Sequence, residues 1–506
     1  MINLHGKIYK YAGPPGTGKS TTLLGVVEKL LDAGTAPEDI VYTTFTRAGA
    51  YEARDRACVR FGLPPTRFPY FRTLHSLCYQ ELGKVDVMQP GDWCTLAALL
   101  GVGFSLKFSP EEGIPRGRTK GDSMMSLWSL ARVRMEPVAQ IYQDRHLHSV
   151  FLPDLSLQEL EHFVATIIEY KRAAGKVDYT DMLEQWLERG HGGAPHLIVD
   201  EAQDLSLLQW RVVEKLSSHA QESHIAGDDD QCIHEWNGAA PALFIHLPSS
   251  HYTVLPQSYR VPKSVHLLAD SVVGRILARL PKEYRAREEE GRVERIDGLA
   301  QLDMSKGTWF ILARNNHFLD DLATEVELKG YLYKGHTQKN LSRIVAGIHT
   351  WQALCKGEPR SLEQCQQMYL LMSQRDRVVR GCKSKLQQSK VPMLTLDLLR
   401  RDYGCLAQGP WTLALDMISE EDRDYLEAIE KKEGLAAGAR IELSTIHGSK
   451  GREADHVVLC PDMTFRTWDA FQSLPDAEHR VWYVGVTRAR KSLHILPAQS
   501  ECHYPI

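Results

Sequence analysis

The sequence predicts an α/β protein with two parallel sheets, each interrupted by a mainly helical insertion. Three observations predict this. A glycine-rich loop, Gly13-Pro14-Pro15-Gly16-Thr17-Gly18-Lys19-Ser20, joins the apolar run Ile8 to Ala12 to the helix-like stretch Thr21 to Leu31. Short apolar runs then alternate with helix-length amphipathic ones, the pattern of parallel strands joined by crossover helices. Finally, the strand pattern stops twice, over residues 85–174 and 341–435, and resumes each time. The expected domains are 1–84 with 175–258 for the first sheet, and 259–340 with 436–506 for the second.

The loop binds phosphate in its usual strand–loop–helix setting. Its glycines let backbone N–H groups turn inward, and the helix N-terminus adds positive potential. Lys19 reaches terminal phosphates, while the Ser20 hydroxyl suits Mg²⁺. The competing reading is a chance glycine-rich turn, which this spacing disfavours.

A length of 506 residues suggests three or four domains. The net charge of −4 argues against a protein that coats nucleic acid through overall charge. A local basic channel is still compatible with it, because binding follows the local field. The ten cysteines form no C-x-x-C pair and no zinc spacing, so reduced thiols are expected. No signal peptide precedes the first strand, and no apolar run reaches a membrane span of about 18 residues. A cytoplasmic protein without membrane contact is expected.

Ile40 to Phe45 reads as a second strand, followed by Thr46, Arg47 and a helix from Ala48 to Phe61. Phe71 to Ser76 opens another helical run, in which Thr73 is a cap and His75 is either a surface residue or a ligand contact. The first insertion carries Trp93, Trp128 and a Gly/Pro/basic loop around Pro110 to Gly121. The sheet resumes at His196 to Val199 and delivers Asp200 and Glu201 at its end, where open α/β sheets place ligand chemistry. Behind a phosphate loop, Asp200 is suited to share Mg²⁺ with Ser20, and Glu201 to deprotonate water. A solvated acidic turn is the plainer alternative.

Ser223 to Gln231 forms a further strand and loop ending in a glutamine suited to a γ-phosphate or its water. Trp236 follows, as a core residue or a stacking platform. Tyr259 and Arg260 pair an aromatic with a cation, and Thr308 to Arg314 with Phe318 to Lys329 begin the second sheet. In the second insertion Arg375, Arg377, Arg380, Lys383, Lys385, Lys390, Arg400 and Arg401 face only Asp376 and Asp397, either as a solvated face or as a DNA contact. Arg440 to Gly451, His456 to Cys460, the helix Ala477 to Val486 and the strand Leu493 to Leu496 close the chain, with Arg488 placed as an arginine finger or a surface ion pair.

The ordered segments GPPGTGKST, YTTFTRAGAYEAR, FRTLHS, LIVDEAQD, IAGDDDQCIHEWNGA, LPQSYR, IELSTIHGSKGREAD and YVGVTRAR resemble the UvrD/Rep-like branch of superfamily 1 DNA helicases. The resemblance implies two RecA-like parallel-sheet motor domains with ATP in the cleft between them. It implies that Gly13, Gly16, Thr17, Gly18, Lys19, Ser20 and Thr21 cradle the nucleotide, and that Lys19, Gln231, Arg260 and Arg488 surround the β- and γ-phosphates. Ser20 and Asp200 would hold Mg²⁺, Glu201 would be the base, Tyr259 would stack on the nucleobase and Glu453 would meet the ribose. Phe45, His75 and Trp236 would line the path of single-stranded DNA, with Thr46, Arg47 and Thr445 on its backbone. Arg260 and Arg488 are expected from the second domain and Lys19 from the first, so that a γ-phosphate would close the cleft.

The expected activity is ATP-dependent 3′ to 5′ translocation on single-stranded DNA with unwinding at single-strand/duplex junctions, by a monomer, with an unidentified loading or single-strand-binding partner. The alternatives are a translocase that strips proteins from the strand, and a nucleotide-gated DNA-binding module. Three departures from the family pattern stand out: no glutamine precedes Gly13 to read adenine, the second insertion is short, and little chain follows the last motif.

Overall fold

The computed structural model describes residues 2–83, 85–104, 119–144, 155–336, 341–432, 434–435 and 439–506. Most of the loop expected around Pro110 to Gly121 lies outside them. The chain divides into two compact units, one of Met1–Arg292 with Met463–Lys491 and Ile506, the other of Val293–Asp462 with Ser492–Pro505.

In the first unit, strands β1 (Lys7–Ala12), β2 (Ile40–Thr43), β3 (Phe71–Arg72), β6 (His196–Val199), β7 (Glu222–Gly227) and β8 (His251–Val254) form one sheet in the order β3-β2-β6-β7-β1-β8. Every pairing in it is parallel. Two short strands, β4 (Asp86–Val87) and β5 (Lys176–Val177), pair outside it. The central strands are nearly continuous apolar runs because crossover helices cover both faces of a parallel sheet. One face packs Val41, Leu197, Val199 and Ile225 against Trp210, Val213 and Leu216, and the other packs Tyr42 and Ile198 against Leu23, Val27 and Ala57.

The first insertion is a helical layer with its own core. Helices Pro90–Leu100, Lys120–Arg134 and Leu157–Ala174 bring Trp93, Leu96, Trp128, Phe163 and Ile167 together. Thr119 with Asp122 and Ser156 with Glu159 form capping boxes that satisfy the first N–H groups of two of these helices. Arg132 and Lys171 bind Asp178 and Asp181 at 2.5–2.9 Å, which ties the layer to the helix Tyr179–Arg189.

The second sheet, which lies in the second unit apart from Arg292 and Ala489 to Lys491, consists of β9 (Arg292–Arg295), β10 (Trp309–Ala313), β11 (Tyr333–Gly335), β14 (Ile441–Thr445), β15 (Ala454–Cys460) and β16 (Ala489–Ile495) in the order β11-β14-β10-β15-β16-β9. The pairings of β10 with β14 and β15, and of β11 with β14, are parallel. Between β11 and β14 lies a helical stretch with one small antiparallel pair, β12 (Arg360–Ser361) with β13 (Met393–Leu394). Part of its basic run is structural: Arg377 donates to Leu413 O at 2.8 Å, Lys383 to Met372 O at 2.6 Å and Lys385 to Asp402 O at 2.8 Å. Among the described residues no helix is long and apolar enough to cross a membrane.

The units do not follow the boundaries read from sequence. Residues 259–292 and 463–491, expected in the second sheet domain, belong to the first unit. The helix Pro475–Val486 accounts for this. Its Asp476 accepts from the N–H groups of Leu277 and Ala278, its Arg480 bonds Glu235 at 2.7 Å and its Tyr483 meets Tyr284 at 3.2 Å. Arg260 and Arg488 therefore share a compact unit with Lys19.

Ile311 is fully buried in the middle of the second sheet, whereas Leu328 is 83% exposed. Ile311→Ala should destabilise the second unit by about 2–5 kcal/mol and Leu328→Ala by less than about 0.5 kcal/mol. The midpoint of that unit's urea transition, followed on each variant, checks the contrast.

Candidate functional site

Three strands of the first sheet end at one place. β1 runs into the phosphate loop, β6 into Asp200 and Glu201, and β7 into Asp228 and the short turn Asp229–Gln231. The carboxyl ends of parallel strands are where α/β sheets collect ligand-binding side chains. Gly13 N donates to Gly227 O at 2.9 Å, locking the loop to the neighbouring strand end.

The loop needs its glycines for different reasons. Gly16 (φ 72°) and Gly18 (φ 82°) adopt left-handed backbone, and Gly18 caps the helix Lys19–Asp32. A methyl at Gly16 would also fall 2.3 Å from Arg260 Cβ, and one at Gly13 would fall 2.0 Å from Lys19 Cγ. Tyr259 N donates to Gly16 O at 2.8 Å and Ser258 Oγ to Pro15 O at 2.7 Å, so the Ser258–Arg260 segment lies directly on the loop. Tyr259 itself is 73% exposed, an open aromatic surface beside it. Thr17 Oγ1 donates to Pro14 O at 2.8 Å within the loop, and Thr21 Oγ1 accepts from Arg56 Nη2 at 3.0 Å.

Ser20 Oγ donates to Asp200 Oδ2 at 2.7 Å, and Tyr42 OH to the same oxygen at 3.2 Å. Burial, and next the charge of Glu201, push the Asp200 carboxyl up to about 6. A hard divalent cation fits these two oxygens, since Mg²⁺ takes one or two protein ligands and completes its shell with phosphate and water. Among the described residues no cluster of three or more His, Cys, Asp or Glu is arranged to hold a metal ion.

Lys19 Nζ donates to Gly13 O at 3.0 Å and lies 3.7 Å from Glu201 Oε1. Glu201 has φ 55°, a left-handed conformation that is uncommon for a residue with a Cβ. Its Oε2 accepts from Gln203 Nε2 at 2.6 Å, while Gln203 Oε1 accepts from Asp228 N at 2.9 Å. One buried amide thus couples the ends of β6 and β7. Gln231 donates through Nε2 to Asp228 Oδ2 at 2.7 Å, and its Oε1 accepts from Arg488 Nη2 at 2.9 Å. Arg488 is buried, and its Nε donates to Val484 O at 3.0 Å.

Gln203, Lys282 and Arg279 escaped the sequence reading. Lys282 Nζ lies 3.0, 2.5 and 2.8 Å from Asp228, Asp229 and Asp230, all buried, and Arg279 forms a two-pronged pair with Asp230 at 2.6 and 2.9 Å. Burial opposes the charge of Lys282, and the three carboxylates outweigh it, so its pKa lies above that of an ordinary lysine. The triple aspartate DDD was a visible signal that some buried cation had to meet it.

A second concavity of this unit is lined by Phe45, Arg47, Thr73, His75, Tyr179 and His234, among others. Phe45 stacks on His234 with centroids 5.6 Å apart, and His75 meets Tyr179 edge-on at 6.5 Å. His234 and Tyr179 were not foreseen, although His234 stands two residues before Trp236. Trp236 is half-buried against the apolar core of the helical insertion, with Nε1 donating to Ile233 O at 3.1 Å. Thr46 Oγ1 accepts from Gly49 N and caps the helix Arg47–Phe61, whose first residue is exposed. Thr445 and Glu453 belong to the other unit. There Thr445 Oγ1 accepts from Gly448 N at 3.1 Å, and Glu453 is exposed just before β15.

Burial, and next the charge of Arg47, lower the His75 pKa to about 4, so the ring is neutral at pH 7. Because its folded pKa is depressed, the unfolded chain takes up the proton first as pH falls. The stability from a neutral His75 is complete above pH 6.5 and is lost from there down through pH 4. His75→Asn should flatten the fall of Tm between pH 6.5 and 4 relative to the parent, as thermal melts at half-unit steps would read.

Two family models match the chain: the UvrD/REP helicase N-terminal domain over residues 2–87 and 129–251, and the UvrD-like helicase C-terminal domain over residues 415–500. Among curated relatives, the ATP-dependent DNA helicase PcrA of Bacillus subtilis is 24% identical over 304 residues, covering 54% of this chain and 39% of its own. The ATP-dependent DNA helicase Rep of Buchnera aphidicola is 22% identical over 303 residues, 56% of this chain and 45% of its own. DNA helicase II of Salmonella typhimurium is 24% identical over 291 residues, 53% of this chain and 38% of its own. The matched region spans less than half the length of each of these relatives. With both terminal family domains matched in order, and the phosphate loop, Asp200–Glu201 and Gln231 gathered at the carboxyl ends of neighbouring strands with Arg488 bonded to Gln231, the chain belongs to the UvrD/Rep-like family of superfamily 1 helicases.

Proposed function

We propose that this chain is an ATP-dependent DNA helicase that moves 3′ to 5′ on single-stranded DNA and unwinds duplex at single-strand/duplex junctions, using Mg²⁺. The observation that carries the reading is the convergence of Lys19, Ser20, Asp200, Glu201 and Gln231 at the carboxyl ends of adjacent strands, with Arg488 bonded to Gln231 and Arg260 packed against the phosphate loop. That set contains every part phosphoryl transfer to water requires. Lys19, Arg260 and Arg488 supply positive charge for a developing phosphate charge. Glu201 accepts the proton of the attacking water, and the Gln203 amide holds its carboxylate in place. Ser20 and Asp200 are the residues that would hold Mg²⁺, which supplies charge neutralisation between phosphates when bound. Exposed Tyr259 offers a purine a stacking face, and Glu453 is the expected ribose contact.

For the strand, Phe45, His75 and the neighbouring His234 form an aromatic surface on which bases can stack, worth about 1–3 kcal/mol per base and indifferent to sequence. Neutral His75 fits stacking better than phosphate pairing. Trp236 adjoins this surface through His234 at 6.2 Å, and Thr46, Arg47 and Thr445 are the proposed backbone contacts. The names of the relatives, ATP-dependent DNA helicases among them, agree with this substrate pair.

Glu201→Gln should lower DNA-stimulated kcat by about 10²–10⁴-fold while leaving the Kd for a non-hydrolysable ATP analogue within about threefold. Near-parental turnover in that variant would remove Glu201 as the base. Parental protein should unwind a duplex with a 3′ tail and leave one with a 5′ tail intact. Strand-dependent ATP hydrolysis without unwinding of either substrate would instead mark a translocase.

A further inference from the structure

Two buried partners of Gln231, Asp228 and Arg488, set which way its amide points. Nε2 donates to Asp228 and Oε1 accepts from Arg488, so reversing the amide would set an NH₂ group against a guanidinium and a carbonyl against a carboxylate. An anionic Asp228 reinforces this orientation, because a carboxylate offers acceptors only whereas a protonated carboxyl also brings a competing donor. Asp228 is fully buried, where an isolated carboxylate would take up a proton. Among the described residues its ion-pair partner is Lys282, whose side chain is 1% exposed and whose Nζ sits 3.0 Å from Asp228 Oδ1, on the oxygen opposite to the one Gln231 uses. Burial works against the Asp228 charge, and Lys282 chiefly reverses the effect and holds its pKa below the ordinary value.

We propose that Lys282 is a positioning residue for hydrolysis, acting through Asp228 to fix the Gln231 amide with its carbonyl toward Arg488. The proposal rests on the ATPase reading above and adds to it a residue outside every motif segment that carries the family resemblance. The line of contact runs from ammonium to carboxylate, amide and guanidinium. Asp229 lies on the same ammonium through Oδ1, and its Oδ2 accepts from Leu280 N at 2.8 Å. Its role is charge balance, which allows positioning to be separated from folding.

Lys282→Met alone leaves three buried carboxylates with one fewer cation and can fail to fold. The test therefore uses the charge-matched pair Lys282→Met/Asp229→Asn, with Asp229→Asn as its control, in the parental and Gln231→Ala backgrounds. DNA-stimulated ATPase and Tm are measured for each. The expected result is a fall of about 10–100-fold in kcat for the charge-matched pair, with KM for ATP within about threefold and Asp229→Asn within about threefold of parental kcat. In the Gln231→Ala background the same pair should cost less than about twofold more, because residues acting through one another are non-additive. Parental kcat in the charge-matched pair, or an equal fractional loss in both backgrounds, overturns the proposal and leaves Lys282 a folding residue. Absence of ATP hydrolysis in the parental protein would overturn the functional reading and this inference with it. Parental hydrolysis with an undisturbed charge-matched pair removes the inference alone.

Discussion

The constraint on which the first unit depends is electrostatic: carboxylates gathered at the ends of parallel strands, away from water, must each find a cation or a donor. Asp228, Asp229 and Asp230 are buried together and would be untenable without Lys282 and Arg279. An unpaired buried charge costs several kcal/mol, so this pairing is a condition of folding as well as of chemistry. The requirement also explains why the segment around residues 279–284 belongs to the first unit. It carries the ions that the turn after β7 cannot do without. Lys10, buried on β1 and donating to Ile245 O, feels the same shortage of water, and burial lowers its pKa to about 8.

The phosphate loop, the acidic end of β6 and the glutamine after β7 were legible because their chemistry demands particular residues at short spacing along the chain. Gly16, Lys19, Ser20, Asp200, Glu201 and Gln231 follow from such local patterns. Lys282 was not legible, because its function arises from a meeting across about fifty residues and it stands in a stretch, Arg275 to Arg287, where cations are frequent. Only the fold shows which of them is buried. Gln203 was hidden for a different reason: a lone glutamine beside acidic residues has no signature, and its role as a bridge depends on two strand ends being neighbours in the sheet.

The fold class was readable from the alternation of apolar and amphipathic runs, whereas the two stretches expected to lack strands carry the short strands β4, β12 and β13. The partition of the chain was less so. The helix Pro475–Val486, buried on all sides from Glu478 onward, shows no single apolar face in its sequence, so nothing in it says against which sheet it packs. Its polar members, Asp476, Arg480 and Tyr483, settle the question through specific bonds, and those can be seen only with both partners in view. The basic run of the second insertion carries the converse lesson. Several of its cations are spent on carbonyl oxygens of their own fold, so counting charges overstates how much of the run faces outward.

Glu201 sits in left-handed backbone at the end of a buried strand, a position where glycine would be at ease and a side chain is not. The conformation costs about 1–2 kcal/mol for an L-residue. Its local geometry is therefore in tension with the identity it carries. A search for thermostable variants scored by folding alone would be drawn to glycine or asparagine at this turn, and would remove the carboxylate from the edge of the sheet while reporting an improvement. Stability screens on this protein consequently need a chemical readout beside the thermal one, since at residue 201 the two select in opposite directions.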